Sequence, residues 1–273
     1  MTHRQSLYQA RYGAADVAVP SAGSPIIDHL LAHRSVRAYL PDPVDDDQLA
    51  AIVAAAQSAA SSSNLHAWSV VAVRDPARKA RLAEFAGDQA HIRQAPLLLV
   101  WLADLARLEE VANKVGETHA ALDYLEMFEV GVIDAALAAQ NAVTAAESLG
   151  LGTVYIGAMR NRPEEVATEL QLPPRVVAVF GLCVGKPDPA QPAAVKPRPP
   201  QSVVLHRETY SLPAQTAGLE QYDTAMSAFY ASQGMKVRGT WSNHSAKRVR
   251  DTQALSGRDR LMEALNGLGF PLK

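Results

Sequence analysis

The sequence predicts an α+β fold in which a mixed central sheet is wrapped by helices. Four short apolar runs, rich in β-branched residues, have the composition of strands. Long alanine-rich segments with helical spacing lie between them. After Pro187 the chain becomes rich in proline before two further amphipathic helices, which indicates a C-terminal helical extension of the sheet domain.

The predicted strands begin at Trp68 ("WSVVAV"), Pro96 ("PLLLVWLA"), Thr153 ("TVYIG") and Val176 ("VVAVFGLCVG"). The second and fourth runs are apolar on both faces. Strands of this kind are covered on both sides by other elements. We therefore expect the second and fourth strands to be central, with helices packed above and below them.

Two of the helices have clear sequence signals. In "PVDDDQLAAIVAAAQSAA", Asp45 can cap the first turn, and Gln48, three residues later, completes a capping box. The segment "GVIDAALAAQNAVTAAESLGLG" carries alanine and valine around most of its circumference, which predicts a buried helix. Gly150 and Gly152 are expected to end that helix.

The two ends of the chain differ from its middle. Residues 1–23 show no clear periodicity, so we expect a flexible leader there. Residues 24–273 are expected to form one domain, whose extension starts at about residue 187. The stretch "KPDPAQPAAVKPRPPQSVV" is too rich in proline for a helix or an inner strand, which predicts an extended arm over the surface. Two amphipathic helices follow, one ending at Gly234 and one starting at Ser256.

Composition excludes several functional classes. The net charge of −2 and the isoelectric point near 6.4 argue against general nucleic-acid binding and against attachment to an anionic membrane. The sequence shows no signal peptide and no apolar run long enough to cross a membrane, which predicts a cytoplasmic protein. The single cysteine, Cys183, excludes an internal disulfide and suits a reducing compartment.

Common catalytic signatures are missing from the chain. There is no P-loop and no G-x-S-x-G motif, and the glycines of "GLGTVYIG" precede a strand where a dinucleotide-binding loop would follow one. His29 and His33 lie four residues apart, as zinc ligands can, but no third ligand accompanies them. We therefore expect no metal site.

Several short polar stretches remain, each of them weak evidence taken alone. The serines of "SAASSSNLHAW" form an ordinary polar turn about as readily as a binding loop, and Gln89 by itself would be an ordinary surface residue. Lysine and arginine recognise phosphate by charge and by paired hydrogen bonds. A ligand with one phosphate, a polyol and a polar ring would use all of these side chains together, and flavin mononucleotide (FMN) has those three parts. The candidate residues are His33, Arg34, Ser35, Arg37, Ser61, Ser62, Ser63, Gln89, Lys196 and Arg198.

The order of these motifs closely resembles the flavin-dependent nitroreductase family, and within it the NADPH-dependent branch of major oxygen-insensitive nitroreductases and flavin reductases. The resemblance is carried by "HRSVRAY", "SAASSSNLHAWSVV", "GDQAHI", "AAQNAVTAAESLGLGTVYIGAMRN", "VFGLCVGKP" and "KPRPP". It extends over about residues 24–273, including "YDTAMSAFYASQG" and "TWSNH". It implies a nitroreductase-like α+β fold and an intertwined homodimer with FMN bound at the interface.

The resemblance also implies a role for each candidate residue. His33, Arg34, Ser35 and Arg37 match ligands of the phosphate and the ring edge. Ser61, Ser62 and Ser63 match the loop against the isoalloxazine and ribityl chain, and Gln89 matches a glutamine that reaches the flavin. Tyr155, Ile156 and Gly157 match the segment that lies over one face of the ring. Lys196 and Arg198 match cations that reach the phosphate and the N1 and O2 side of the ring.

The nicotinamide donor is assigned in the same way. Lys236 and Arg238 are candidates for the 2′-phosphate of NADPH, and Arg258 matches an arginine near the entrance of the site. The chain departs from the family pattern at Gln233, where an arginine is usual, so the preference for NADPH over NADH stays open. In the serine loop, Asn64 and His66 replace other residues, a departure that bears on the choice of acceptor.

The resemblance implies an FMN-dependent NAD(P)H oxidoreductase that reduces nitroaromatics, quinones or free flavins by two-electron ping-pong hydride transfer. No protein side chain is expected to be a nucleophile or an essential acid, because the flavin carries the chemistry. Alternatives are a dedicated NADPH:FMN or quinone reductase and a flavin-binding protein with little turnover. Cys183 as a redox thiol is a weaker alternative, because an apolar strand favours a buried, inert cysteine.

Overall fold

The computed structural model describes residues 2–14 and 17–273. Its chain forms two compact units. The core unit comprises Ser35–Pro192 and Ser256–Lys273, and the arm unit comprises Ala193–Leu255 and the described part of Met1–Arg34. Each unit is therefore built from segments that are far apart in the sequence.

The sheet of the core unit has four strands in the order β1-β2-β4-β3, and each neighbouring pair is antiparallel. All four predicted strands are confirmed, and their bounds are Trp68–Val73 (β1), Leu97–Asp104 (β2), Gly152–Ile156 (β3) and Val176–Gly185 (β4). The expected central position of the second and fourth runs is confirmed as well, because β2 and β4 are the inner strands and every residue of β2 is buried.

The strand directions refine the expectation of a mixed sheet. Among the described residues, the isolated parallel bridge between Ser35 and Thr153 is the one parallel pairing. It adds an extended segment beside β3, with the Val36 amide donating to the Thr153 carbonyl at 2.8 Å. The connections between paired strands contain helices, with α4 and α5 between β1 and β2 and α8 between β3 and β4.

Helices occupy most of the remaining chain. The α-helices within the described residues span His3–Tyr12 (α1), Pro25–Leu31 (α2), Asp46–Gln57 (α3), Pro76–Phe85 (α4), Ala90–Gln94 (α5), Ala106–Val115 (α6), Leu125–Ser148 (α7), Pro163–Glu169 (α8), Gln201–Val204 (α9), Thr216–Ser232 (α10), Trp241–Arg248 (α11) and Leu261–Gly267 (α12). None of them combines the length and the apolar character that crossing a bilayer requires.

Local sequence signals explain where two core-unit helices begin and what they cover. The capping box of α3 is confirmed, because the Gln48 amide donates to Asp45 Oδ1 at 2.7 Å and the Asp45 amide donates to Gln48 Oε1 at 3.2 Å. The prediction of a buried helix is confirmed for one face of α7, whose alanines pack on the sheet beside Leu99 and Trp101, while Ile133 and Leu137 are exposed. Alanine keeps this contact close because it has no side chain beyond Cβ.

The C-terminal residues differ from the predicted extension, since they return to the core unit. Phe270 is buried and meets Phe128 edge to face, with ring centroids 5.4 Å apart. The Lys273 ammonium bonds Asp123 Oδ2 at 2.7 Å. Apolar burial and this ion pair therefore hold the last helix against the sheet domain, while Ala193–Leu255 belong to the arm unit.

Within the segment expected to be a flexible leader, His3–Tyr12 form helix α1 of the arm unit. Thr2 caps the helix by accepting from the Gln5 amide, and Gly13 ends it with a left-handed φ of 67°. A Cβ at Gly13 would lie 2.8 Å from Cβ of Ala225 on α10, so glycine serves both the turn and the contact there. Residues 1, 15 and 16 of the predicted leader lie outside the described residues.

The predicted arm after Pro187 is extended up to Pro200, and then the four-residue helix α9 begins. The expectation that this stretch holds no helix is therefore wrong for its last residues, which follow the final proline. Helix α10 buries Tyr222 and Met226, as the amphipathic pattern predicts. The pattern did not indicate α11, where Thr240 and Asn243 form a second capping box.

Candidate functional site

The predicted site residues are divided between the two units. The arm unit holds His33, Arg34, Lys196, Arg198, Lys236 and Arg238. The core unit holds Ser35, Arg37, Ser61, Ser62, Ser63, Gln89, Tyr155, Ile156, Gly157 and Arg258.

In the arm unit, the two cations of the proline-rich stretch are exposed because buried and exposed residues alternate along it. Pro197 is buried, while Lys196 and Arg198 on either side of it are exposed. The Pro197 carbonyl accepts the Tyr222 hydroxyl at 3.2 Å. An extended backbone puts alternate residues on opposite sides, so anchoring the proline turns both cations outward.

The second cationic segment of the arm unit follows α2 directly. Arg34 is exposed, and its guanidinium lies 3.4 Å from the Ala32 carbonyl. One buried side chain joins this segment to the first, because the Arg11 guanidinium donates to the carbonyls of His33 at 2.6 Å and Lys196 at 3.0 Å. The structure thus brings together the predicted His33–Arg34 and Lys196–Arg198 groups through a residue that the sequence analysis did not select.

Lys236 and Arg238 lie on the loop between α10 and α11, and both are exposed. The Arg238 carbonyl lies 2.8 Å from Nε2 of His244, which holds the loop to α11. Their side chains therefore extend from an anchored backbone, as a docking point for an anion requires.

In the core unit, Ser35 and Arg37 flank the buried Val36 on the extended segment beside β3. The two exposed side chains therefore leave on the same side of that segment. This segment can lie close to β3 because residue 152 is glycine; a Cβ there would lie 2.6 Å from Cγ2 of Val36.

The Arg37 charge acts on a half-buried imidazole, that of His91. Burial and then the Arg37 charge lower the pKa of His91, so the neutral ring is favoured. Its Nε2 is buried and has no hydrogen-bond partner among the described residues. Gln89, just before α5, donates its amide to the Ala86 carbonyl at 2.8 Å, which ties the start of that helix back to α4. A buried nitrogen without a partner beside a cation is a place where a polar ligand atom would be stabilised.

The serine loop is organised by a buried carboxylate on α7. Asp134, which is 1% exposed, accepts the Ser61 hydroxyl at 2.7 Å, the Ser62 amide at 3.1 Å and the Ala67 amide at 3.2 Å. Ser63 and His66 take positive φ angles of 47° and 50° within the same loop. The loop therefore turns sharply around one acceptor group.

This arrangement revises the expectation for Ser61. Its hydroxyl donates to Asp134, and its oxygen accepts the His66 amide at 2.7 Å, so the side chain serves the loop itself. Ser62 and Ser63 are exposed, and their side chains remain the ligand candidates of this loop.

At the end of β3 the three predicted residues differ in what they can offer. The Ile156 side chain is buried in the core, which leaves only its backbone available. Tyr155 meets Phe180 edge to face at 5.2 Å, and its hydroxyl donates to Gln140 Oε1 at 3.4 Å. Burial raises the pKa of Tyr155 above its ordinary value, so the phenol stays protonated. Gly157 follows and starts the 3₁₀ helix Gly157–Asn161.

Arg258 lies close to this corner of the core unit. Burial and the Arg258 charge both lower the pKa of Arg160, whose guanidinium donates to the Val179 carbonyl. A Cβ at Gly257 would lie 3.5 Å from the Asn161 carbonyl. The structure therefore brings Arg258 together with the Gly157–Asn161 turn, while Arg160 holds the turn to β4.

Comparison with known proteins agrees with this architecture. The model of the Nitroreductase family matches residues 30–186, and the model of its C-terminal domain matches residues 196–273. The chain belongs to the nitroreductase family. Both matched ranges begin after α1 of this nitroreductase.

Individual relatives cover nearly the whole chain. The chain is 39% identical over 248 residues to the oxygen-insensitive NADPH nitroreductase of Salmonella typhimurium, covering 90% of this chain and 98% of that protein. It is 37% identical to the NADPH-flavin oxidoreductase of Vibrio harveyi, covering 89% and 97% of the two chains. The structure of the hypothetical oxidoreductase YcnD from Bacillus subtilis superposes with a TM-score of 0.86 at 36% identity, covering 92% of this chain and 100% of that one.

Two residues of this nitroreductase that organise its candidate site were missed by sequence reasoning. Asp134 had a usable signal, because an acidic residue on an otherwise apolar buried helix needs polar partners. Arg11 had none, since its partners, Leu31, His33 and Lys196, are distant along the chain and are not marked by any local pattern.

Proposed function

We propose that this protein is an FMN-dependent NAD(P)H oxidoreductase that reduces nitroaromatics, quinones or free flavins. The observation that carries the proposal is the pair of cationic segments, His33–Arg34 and Lys196–Arg198, that share Arg11 as a buried partner. A chain with a net charge of −2 has no general need for such a local concentration of positive charge. Binding of an anionic ligand would explain this concentration of positive charge.

The chemistry of the donors fits FMN part by part. Lysine, arginine and histidine side chains of the arm unit suit the phosphate. In the core unit, the hydroxyls of Ser62 and Ser63 suit the ribityl chain. The unpartnered Nε2 of His91 and the backbone at Gly157 suit the polar edge and the face of a flat ring. We keep Ser35, Arg37 and Gln89 in the proposed ligand set and assign Ser61 to holding the loop.

When bound, FMN supplies the redox chemistry by taking hydride at N5 from the nicotinamide and returning two electrons to the acceptor. The protein's part is to bind and orient. We assign Lys196 or Arg198 to the N1 and O2 side of the ring, where a positive charge stabilises the reduced, anionic flavin. Tyr155 keeps its proton because burial raises its pKa, so it acts as a neutral hydrogen-bonding surface and not as a base.

NADPH is the proposed electron donor, with NADH as the weaker one. The relatives from Salmonella typhimurium and Vibrio harveyi both carry NADPH in their names. The exposed Lys236 and Arg238 would bind the 2′-phosphate that distinguishes NADPH from NADH. Arg258 would hold the acceptor or the nicotinamide beside the Gly157–Asn161 turn.

The protein is proposed to act as a cytoplasmic homodimer with small-molecule acceptors. Support for a second subunit comes from α7, where Ile133 and Leu137 are 55% and 45% exposed on one helix face. Their spacing of one turn makes an apolar stripe that a second copy would cover. Light scattering on the purified protein would then give twice the chain mass of 29.3 kDa.

The decisive experiment is a visible spectrum of the purified protein, followed by anaerobic titration with NADPH and then NADH. The proposal expects a yellow protein that NADPH bleaches within seconds and that a nitroaromatic or quinone reoxidises. Protein that stays colourless with excess FMN would refute it. Yellow protein that neither nucleotide bleaches would favour a flavin-binding protein with little turnover, and reoxidation by free flavin or quinone alone would favour a dedicated reductase.

A further inference from the structure

Arg11 lies in the last turn of helix α1. Its side chain is buried at 7% exposure. The guanidinium donates to three backbone carbonyls: Leu31 at 2.8 Å and His33 at 2.6 Å through Nη2, and Lys196 at 3.0 Å through Nη1. The Arg198 amide donates in return to the Arg11 carbonyl at 2.7 Å. All of these residues lie in the arm unit.

These contacts connect backbone to backbone by way of one rigid side chain. A guanidinium is planar, and its donors keep a fixed spacing, so carbonyls that bind it are held in a fixed relation to each other. His33 and Lys196 are both proposed ligands of the phosphate, and both are tethered at their own carbonyls. Arg11 therefore determines where the two cationic segments lie relative to each other.

Helix α1 is itself fastened at both ends, which makes it a firm base for Arg11. At its start, the Arg4 guanidinium forms a two-pronged ion pair with Asp28 on α2, at 2.8 and 3.0 Å. Near its end, the Tyr12 hydroxyl accepts the Gln201 amide at 3.2 Å. A helix held in this way positions Arg11 with little freedom.

The two segments carry like charges, and holding like charges near one another costs free energy. The hydrogen bonds from Arg11 to the carbonyls of His33 and Lys196 fix the backbone of both segments before ligand binds. Preorganisation of this kind raises affinity for the ligand that neutralises the cluster.

We propose that Arg11 is a positioning residue, and that through it α1 sets the affinity of this protein for the phosphate of its flavin. The inference rests on the proposed function, in which the His33–Arg34 and Lys196–Arg198 segments bind that phosphate. Arg11 itself is buried, so it acts through the two segments and does not contact the flavin. The predicted consequence is a specific loss of discrimination between FMN and riboflavin, which differ by the phosphate alone.

The test measures dissociation constants of FMN and riboflavin by quenching of flavin fluorescence on protein freed of its flavin. Arg11→Met removes the guanidinium but keeps the length of the side chain. It should weaken FMN binding about 10- to 100-fold and weaken riboflavin binding by a clearly smaller factor, because one cation of the Lys196–Arg198 segment is assigned to the ring and the rest of the cluster to the phosphate. Arg11→Lys, which keeps the charge and one donor group, should recover part of the loss.

The matched control is Arg250→Met, which removes one positive charge from an exposed arginine of the same unit that pairs with Asp251. It should leave both dissociation constants unchanged. A double variant, Arg11→Met with Arg198→Met, should lose less than the product of the two single effects, because Arg11 acts partly through Arg198.

The outcomes separate the inference from the function beneath it. If the unchanged protein binds FMN no better than riboflavin, the proposed phosphate site is wrong and the role of Arg11 falls with it. If the unchanged protein prefers FMN and Arg11→Met keeps that preference, only the positioning role is overturned. If Arg11→Met weakens the binding of FMN and riboflavin equally, the positioning role is also overturned, in favour of a purely structural role. If Arg11→Met does not fold, the same comparison of FMN and riboflavin binding is made with Arg11→Lys.

Discussion

Oγ of Ser61 lies 2.7 Å from Oδ2 of Asp134, and through this bond a buried carboxylate of α7 holds the loop that precedes β1. The same carboxylate accepts two backbone amides of that loop, from Ser62 and Ala67. Serine-rich loops are usually mobile, but here a single acceptor group ties three points of the chain to a helix in the core. The exposed serines are therefore presented on a fixed backbone.

Replacing the carboxylate should loosen this loop. Asp134→Asn keeps the shape but turns a charged acceptor into a neutral amide whose NH₂ faces donors. We expect the free energy of unfolding to fall by about 2–3 kcal/mol, measured by urea denaturation, because hydrogen bonds to charged groups are worth about 1.5–3 kcal/mol each. Asp42→Asn is the control, since Asp42 forms only an exposed pair with Lys186 at 3.7 Å, and should cost less than about 1 kcal/mol. Equal losses in the two variants would contradict the role of Asp134.

Acid stability should depend on Glu169 of α8. The Arg81 guanidinium, bonded at 2.6 Å, and then Arg78 lower the pKa of this carboxyl from 4.5 to about 2. A lowered folded-state pKa stabilises the protein above the ordinary value, and that stabilisation is lost as the pH falls from 4.5 through about 2. The wild type should exceed Glu169→Gln in unfolding free energy by about 1 kcal/mol at pH 6, since the arginines are half exposed.

Urea titrations at pH 6, 4 and 2 would follow that difference. The gap between wild type and Glu169→Gln should narrow towards pH 2, where about half of the Glu169 carboxyls are protonated. A gap of constant size across these three pH values would show that the arginines do not hold the carboxyl ionised.

The choice of nicotinamide should depend on the loop after α10. Replacing both Lys236 and Arg238 with alanine removes two exposed cations without opening the core. We expect KM for NADPH to rise about tenfold and KM for NADH to change less than about twofold, because each charged contact with the 2′-phosphate contributes roughly 1 kcal/mol at an exposed site. Steady-state kinetics with the exposed Arg207→Ala as control would measure this. Equal increases for the two nucleotides would place the 2′-phosphate elsewhere.

The cysteine should have no part in turnover. Cys183 is fully buried in β4, and burial raises its pKa to about 12, so the reactive thiolate is suppressed. Native protein should react with a thiol reagent such as DTNB only after unfolding. Cys183→Ser should keep kcat with NADPH within about twofold, since the flavin carries the chemistry. Loss of turnover with flavin still bound would revive the redox-thiol alternative.

Much of the core unit could be predicted from local sequence. The apolar runs of β2 and β4 predicted buried central strands, and Asp45 with Gln48 predicted the start of α3. The exposed pairs around Val36 and Pro197 also follow from alternation along an extended backbone. These features depend on residues within a few positions of each other, which a pattern can capture.

The site contacts that escaped prediction depend on distant partners. Arg11 and Lys196 are 185 positions apart, and Ser61 and Asp134 are 73 apart. The return of Phe270 to the core unit is set by its contact with Phe128 and leaves no periodic signal.

By itself, the sequence determined the strands, the capped helices, the buried cysteine and the polar stretches that resemble a flavin site, because propensity, capping and hydrophobic period act locally. Only the tertiary structure decided the antiparallel strand order, the use of Ser61 as an internal support, and the role of α1 as the anchor of the cationic segments. Those outcomes depend on which backbone carbonyls and carboxylates come within hydrogen-bonding distance after the chain has folded, and that distance is a property of the packed molecule.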